Sequence, residues 1–174
     1  MRSEKITWSV VTTLEKRKGD INKCKTPEER IEFLKQKPYE TKVVNGNMLL
    51  NEGMDLLLSL ATGQGGTAFT NATAQIGVGN GNNAAQRTQT DLAGTTSWKS
   101  METGYPTVPA ENAGLTGRCV KFRSSWGVSD GNFSWEEWSV RNSSSSNINL
   151  NRKVEYLGIK SGGTWTLEVE ISLS

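Results

Sequence analysis

From Gly163 to Leu173 the chain alternates without a break, Trp165, Leu167, Val169, Ile171 and Leu173 against Thr164, Thr166, Glu168, Glu170 and Ser172. A period of two held over five apolar positions predicts a β-strand with one buried and one wet face. Each fully buried large side chain is worth about 1.5–3 kcal/mol, so one Trp and four aliphatics anchor a core. The rest of the chain has to supply that strand with partners.

The partners are legible as further strands. Arg118 to Val128 alternates, with Val120, Phe122, Ser124 and Trp126 on one face and Cys119, Lys121, Arg123 and Ser125 on the other. In Asn132-Phe-Ser-Trp-Glu-Glu-Trp-Ser-Val, Phe133 and Trp135 share one parity and Trp138 and Val140 the other, which predicts a β-bulge at Glu136-Glu137 that returns the apolar side chains to one face. Short strands are expected at Ala74 to Gly79 and from Trp98. Leu150 to Ile159 gives another, with Ser161-Gly-Gly as a hairpin turn into the last strand. The connector between these two regions, Ser143 to Asn147, is polar. A content of 18 Gly with only 4 Asp suits a turn-rich β fold. Strands at this spacing, with no helices between them, predict an antiparallel β-sandwich or jelly-roll-like barrel.

Two helices are expected ahead of the strands. Thr26-Pro-Glu-Glu is a strong helix start, with Thr26 as N-cap, Pro27 at the first helical position and Glu29 closing a capping box, and Pro38 ends it. Its stripe of Ile31, Phe33 and Leu34 is narrow, which places it on a surface. The second helix, Asn51 to Thr62, carries Leu50, Met54, Leu57, Leu58 and Ala61 on one face with Leu56 and Leu60 widening it, so it is expected to lie deeply buried against the sheet, Gly53 permitting a close crossing.

At 174 residues the chain has room for one domain, or one domain and an arm. Residues 1–42 hold 11 Lys and Arg against 7 Asp and Glu, a net of +4, and the remainder 9 against 11, a net of −2. This split suggests an N-terminal basic arm carrying the short helix, residues 1–44, and a sandwich domain, residues 45–174, that folds without it. Ile6, Trp8 and Val10 alternate at the start of that arm and Lys16-Arg-Lys follows. An arm of this kind binds a partner: Ile6, Trp8 and Val10 add a strand or plug to a neighbouring subunit, and Lys16, Arg17 and Lys18 meet an acidic surface.

The chain has no His, which removes Ser-His-Asp and Cys-His nucleophiles, His-containing zinc sites and the usual proton shuttle. Glu136-Glu137 is the remaining catalytic candidate, but adjacent strand residues point to opposite faces, so a bulge rim or a contact to Arg141 is the expected role. Gly77-Val-Gly-Asn-Gly lacks the third Gly of a dinucleotide loop and reads as a strand ending in a turn. Lys121 and Arg123 without stacking aromatics beside them read as a solvated strand face, so no specific nucleic-acid binding is expected. Of six Trp, only Trp8 and Trp98 lie off core parity, where a sugar platform would need them. Cys24 and Cys119 stand far apart, as free thiols of a protein made in a reducing cytoplasm. No apolar run has the length of a membrane span and the first residues lead into no signal core. No enzyme activity, metal or cofactor is expected.

Taken in order, Asn71-Ala-Thr-Ala-Gln-Ile-Gly-Val-Gly, Thr90-Asp-Leu, Met101-Glu-Thr-Gly-Tyr-Pro, Phe122-Arg-Ser-Ser-Trp-Gly, Asn132-Phe-Ser-Trp-Glu-Glu-Trp-Ser-Val and Leu150-Asn-Arg-Lys-Val resemble small virion structural proteins of tailed bacteriophages. The resemblance covers roughly residues 45–174. It implies a non-enzymatic β-sandwich on the outer capsid surface, a decoration or cement protein that stabilises the shell, with the major capsid protein and copies of itself, as a homotrimer, for partners. The alternative it implies is a tail-fibre or tail-tip component that binds a receptor or carbohydrate.

Overall fold

A computed structural model describes residues 6–109, 118–143 and 147–174. The elements in chain order are β1 (Trp8–Arg17), a 3-10 turn (Ile21–Lys23), α1 (Pro27–Lys35), β2 (Glu40–Asn45), β3 (Met48–Leu49), α2 (Asn51–Ala61), β4 (Ala74–Gly79), β5 (Thr96–Ser100), β6 (Arg118–Trp126), β7 (Ser134–Asn142), β8 (Ile148–Asn149), β9 (Asn151–Ile159) and β10 (Thr164–Leu173). They form two antiparallel sheets, β2-β1-β10-β6 and β3-β9-β7-β4-β5 with β8 beside β7. The sheets pack face to face as a β-sandwich. Residues 144–146 of the polar connector lie outside the described residues.

β10 is central to the first sheet, and Trp165, Leu167, Val169 and Ile171 are buried in the core as the alternation predicts, whereas Leu173, expected with them, is 47% exposed and Thr164 and Thr166 of the expected wet face are buried too. Its two neighbours are β6 and β1, each in unbroken antiparallel register. Three tryptophans bridge the layers. Trp135 of β7 meets Trp126 and Trp165 edge to face, both at 4.9 Å between ring centroids, the arrangement that ring quadrupoles favour. The indole N–H groups of Trp126 and Trp135 donate to Ser97 and to the Gly131 carbonyl, and that of Trp138 donates across the sandwich to Thr12 of β1 at 3.1 Å.

The expected domain division does not describe the fold. Residues 8–17, read as part of an arm, pair with β10 over ten residues and with β2 over six. The alternation of Ile6, Trp8 and Val10 continues through Thr12 and Leu14, and a strand of that length satisfies the open side of β10, whose backbone groups would otherwise be left in the core of the molecule. β1 and β2 thus make half of the first sheet, and the boundary at residue 44 falls inside one packed unit.

One turn and one strand irregularity also differ from expectation. β9 and β10 belong to different sheets, so Ser161-Gly-Gly is a crossover between layers rather than a hairpin, with Gly162 and Gly163 at φ of +147° and +63° making the reversal. The register between β7 and β9 does break where the parity of β7 changes, between Trp135 and Glu137, but the longer side of the irregularity is on β9, where Gly158 and Val154 face those two residues. The helix start at Thr26 is as expected: its hydroxyl accepts from the Glu29 N–H and the Glu29 carboxylate accepts from Thr26, and α1 buries no residue.

Candidate interaction surface

The residues expected to bind a partner divide sharply. Val10 is buried in the core. Lys16 lies on the core side of β1, opposite Trp165, with its ammonium 4.2 Å above that ring and 2.7 Å from the Glu40 carboxylate. Arg17 is buried and donates to the Gln36 carbonyl and to Glu15, both at 2.8 Å. None of these three is available to another molecule: pairing of β1 on both sides points Val10 and Lys16 to the core side, and Arg17, on the opposite face, is engaged by Glu15 and by the segment that follows α1. Ile6, Lys18 and Trp8 remain accessible; Ile6 is 78% exposed, while Trp8 is half-buried and donates to Asn47. The basic cluster is therefore a single exposed lysine beside two that serve the fold.

The other charged runs are likewise tied down. Lys121 and Arg123 on the outer face of β6 meet Glu170 and Glu168 of β10 at 3.0 and 2.7 Å, a cross-strand ladder that neutralises the face. Glu137 is buried with Arg152, whose Nε and Nη2 lie 2.7 and 2.6 Å from its carboxylate, and its other oxygen accepts from the Gly81 and Ala93 N–H groups. Burial pushes the Glu137 carboxyl up, against the pull of Arg152. Arg152 also donates to Asn83 and Gln89. The pair fastens the β4–β5 connection onto the second sheet. The expected partner, Arg141, instead binds Gln75 and stacks 3.8 Å from Trp98, which occupies the space over Gly77. Gly79 and Gly81 leave room for the Glu137 carboxylate: a Cβ at either would lie 2.6 or 2.5 Å from its oxygen. The glycines of this segment thus serve packing.

What remains open is α2. Gly53 sits on the backbone of Leu150, where a Cβ would come within 2.6 Å, and Leu50 is buried beside it. The Leu50 N–H donates to the Leu150 carbonyl, and Glu52 accepts from the Asn149 N–H at 2.6 Å. These contacts turn the glycine side of the helix to the sheet. Of the face expected to be buried, Leu50 is, but Met54, Leu57, Leu58 and Ala61, at i, i+3, i+4 and i+7, are exposed instead, with Leu58 59% exposed. Only Gly53 of the helix is buried. The sequence signal was the apolar content on more than one side of Asn51 to Thr62, which fits a helix with two apolar neighbours as well as one buried in a core.

Next to that stripe lies an apolar groove of about 410 Å³ between α2 and the open end of the sandwich, lined by Leu57, Leu60, Phe69, Phe122, Leu173 and Trp8 among others, with Arg118 its one charged liner among the described residues. Trp8 also borders a wider cleft of about 780 Å³, where Asn47, Arg87 and Lys153 supply polar groups. Among the described residues no three His, Cys, Asp or Glu side chains converge as a metal site would require, and no helix is long and apolar enough to cross a membrane. The two cysteines carry no disulfide, Cys119 being buried. Comparison of the chain with protein-family models, with curated proteins and with solved structures found no match.

Proposed function

We propose that this chain is a non-enzymatic structural protein of a bacteriophage virion, made in the host cytoplasm and carried on the outer capsid surface as a decoration protein that binds the major capsid protein and copies of itself, as a trimer. The observation that carries the reading is the exposed apolar stripe of α2 with its adjoining groove, on a sandwich whose buried charges are engaged internally. The largest apolar patch on a soluble protein, commonly a few hundred Å², is often a functional surface. A rigid body of this kind gains affinity on a repeating lattice by multivalency rather than by strength at any one contact. The sequence resemblance supplies the context of that lattice.

The cleft beside Trp8, with an aromatic ring among Asn47, Arg87 and Lys153, favours the second reading, a tail component that binds a receptor glycan. One experiment separates the two. Purified protein carrying a gold label is mixed with virions and, separately, with isolated tails, and bound label is located by electron microscopy. Saturable label over the shell supports the decoration reading; label confined to tails supports the alternative. Label on neither overturns both.

A further inference from the structure

We infer that the α2 face is a self-association surface, on which the helix ridge of one copy seats in the groove beside α2 of another. It rests on the particle reading in sharing its α2 stripe, and deepens it by naming a copy of this chain as the occupant in the free protein.

Three features point to a second copy as the occupant. First, ridge and groove are parts of one continuous apolar surface: Leu57 belongs to both, with Met54, Leu58 and Ala61 rising on one side of it and Leu60 and Phe69 lining the groove on the other. A surface that carries both a knob and its hole satisfies itself under a symmetry operation, which is what an interface between identical subunits requires. Secondly, charge at its margin is sparse, with Asp55 exposed on the helix and Arg118 the one charged liner of the groove among the described residues. Neither α2 nor the groove carries a run of one sign that would select a strongly charged partner.

Thirdly, the area is of the right order. Met54, Leu57, Leu58, Val108 and Leu173 are 38, 37, 59, 67 and 47% exposed, a patch on the order of 400 Å². A standard interface takes about 800 Å² from each partner, with a polar rim around an apolar centre. An apolar centre of this size is about half of that share, the rest of an interface falling to its polar rim. One sheet edge, that of β2, is guarded: Lys42 donates to the Tyr156 carbonyl and Lys153 to the Asn45 carbonyl across it, a lysine-protected edge.

The test is the mass of the purified full-length protein by sedimentation velocity from about 1 to about 300 μM, the range in which an interface of this size associates. A dimer or trimer forming across that range is expected. Leu58→Glu and Ala61→Lys, both at exposed positions, should each weaken association at least tenfold while leaving the melting temperature within a few degrees of wild type. Val43→Glu, 57% exposed on the guarded edge, should leave it unchanged. A wild-type protein that stays monomeric throughout, or one dissociated by Val43→Glu and not by the α2 variants, overturns the inference. The particle reading is judged separately, by whether label reaches shells, so failure of one does not count as failure of the other.

Discussion

β1 and α2 carry apolar stripes of similar strength, Val10 and Leu14 in the strand, Met54, Leu57 and Leu58 in the helix, and the fold treats them in opposite ways. Leu14 is fully buried and Leu58 is more than half exposed. The difference lies in what each backbone needs. A strand has no internal hydrogen bonds, so β1 is stable only when bracketed, and β10 and β2 bracket it over most of its length. With both edges paired, the pleat then drives every second side chain into the sandwich. A helix satisfies its own backbone. α2 asks the sheet only for anchorage at its N-terminal end, and Gly53 provides that by letting two backbones meet. Hydrogen-bond demand, more than apolar content, decided which element became core.

The comparison would break most visibly by truncation. Removing residues 1–18 strips β10 of one neighbour and opens the core at Leu14 and Thr12, so the remainder should show no cooperative thermal unfolding by circular dichroism; a cooperative transition would mean that the first sheet closes without β1. Next in size, the same substitution should separate the two elements. Leu14→Ala is expected to cost about 2–5 kcal/mol as a large-to-small core change, and Leu58→Ala to stay within about 0.5 kcal/mol, both read from urea midpoints at a concentration where the protein is monomeric. Similar costs at the two positions would place α2 in a core.

Gly53→Ala sharpens the point about anchorage. In an exposed helix the change adds about 1 kcal/mol of helix propensity, but here the new methyl meets the Leu150 backbone at 2.6 Å. A net loss of about 1–3 kcal/mol is expected, and a stabilised variant would show that α2 can lift away from the sheet freely.

The smallest effects concern pH, and they should have opposite signs at the two anchor points. After β1, Asp130 receives hydrogen bonds from Asn22 and Lys99. Burial pushes its carboxyl up, but those bonds and one from the Gly127 N–H outweigh it and hold the pKa below the ordinary value. A depressed carboxylate adds stability that is present above its ordinary pKa and lost as the pH falls below it. At α2, burial pushes the Glu52 carboxyl up, against the Asn149 N–H bond. With a raised folded value, that site binds protons more readily when folded, so its contribution declines as the pH rises through the region just above the ordinary carboxylate value. Urea midpoints between about pH 3 and 6 should therefore lose part of their acid-side fall in Asp130→Asn. In Glu52→Gln they should lose a decline on the other side, each change amounting to about 1 kcal/mol or less. The same slope in both variants and wild type would show that neither anchor titrates differently on folding.

The sequence by itself determined the elements whose burial follows from their own periodicity. The alternation of β10 specified its inward face, the parity change in β7 located the register break, the Thr26-Pro-Glu-Glu signature set the start of α1, and four tryptophans at core parity are in the core. These are local rules, and they hold wherever a partner of any kind is supplied. Tertiary structure alone decided the partners: that the first strand pairs with the last, that β9 and β10 part into different sheets, that Glu137 meets Arg152 rather than Arg141, and that Lys16 and Arg17 are buried on opposite faces of β1. It also decided the candidate site, since the outward stripe of α2 is indistinguishable in sequence from a buried one until Gly53 is seen to claim the sheet. Periodicity fixes which residues share a face; which face meets water depends on contacts between residues far apart in the chain, such as Gly53 with Leu150 and Leu14 with Leu167, and these no local pattern encodes.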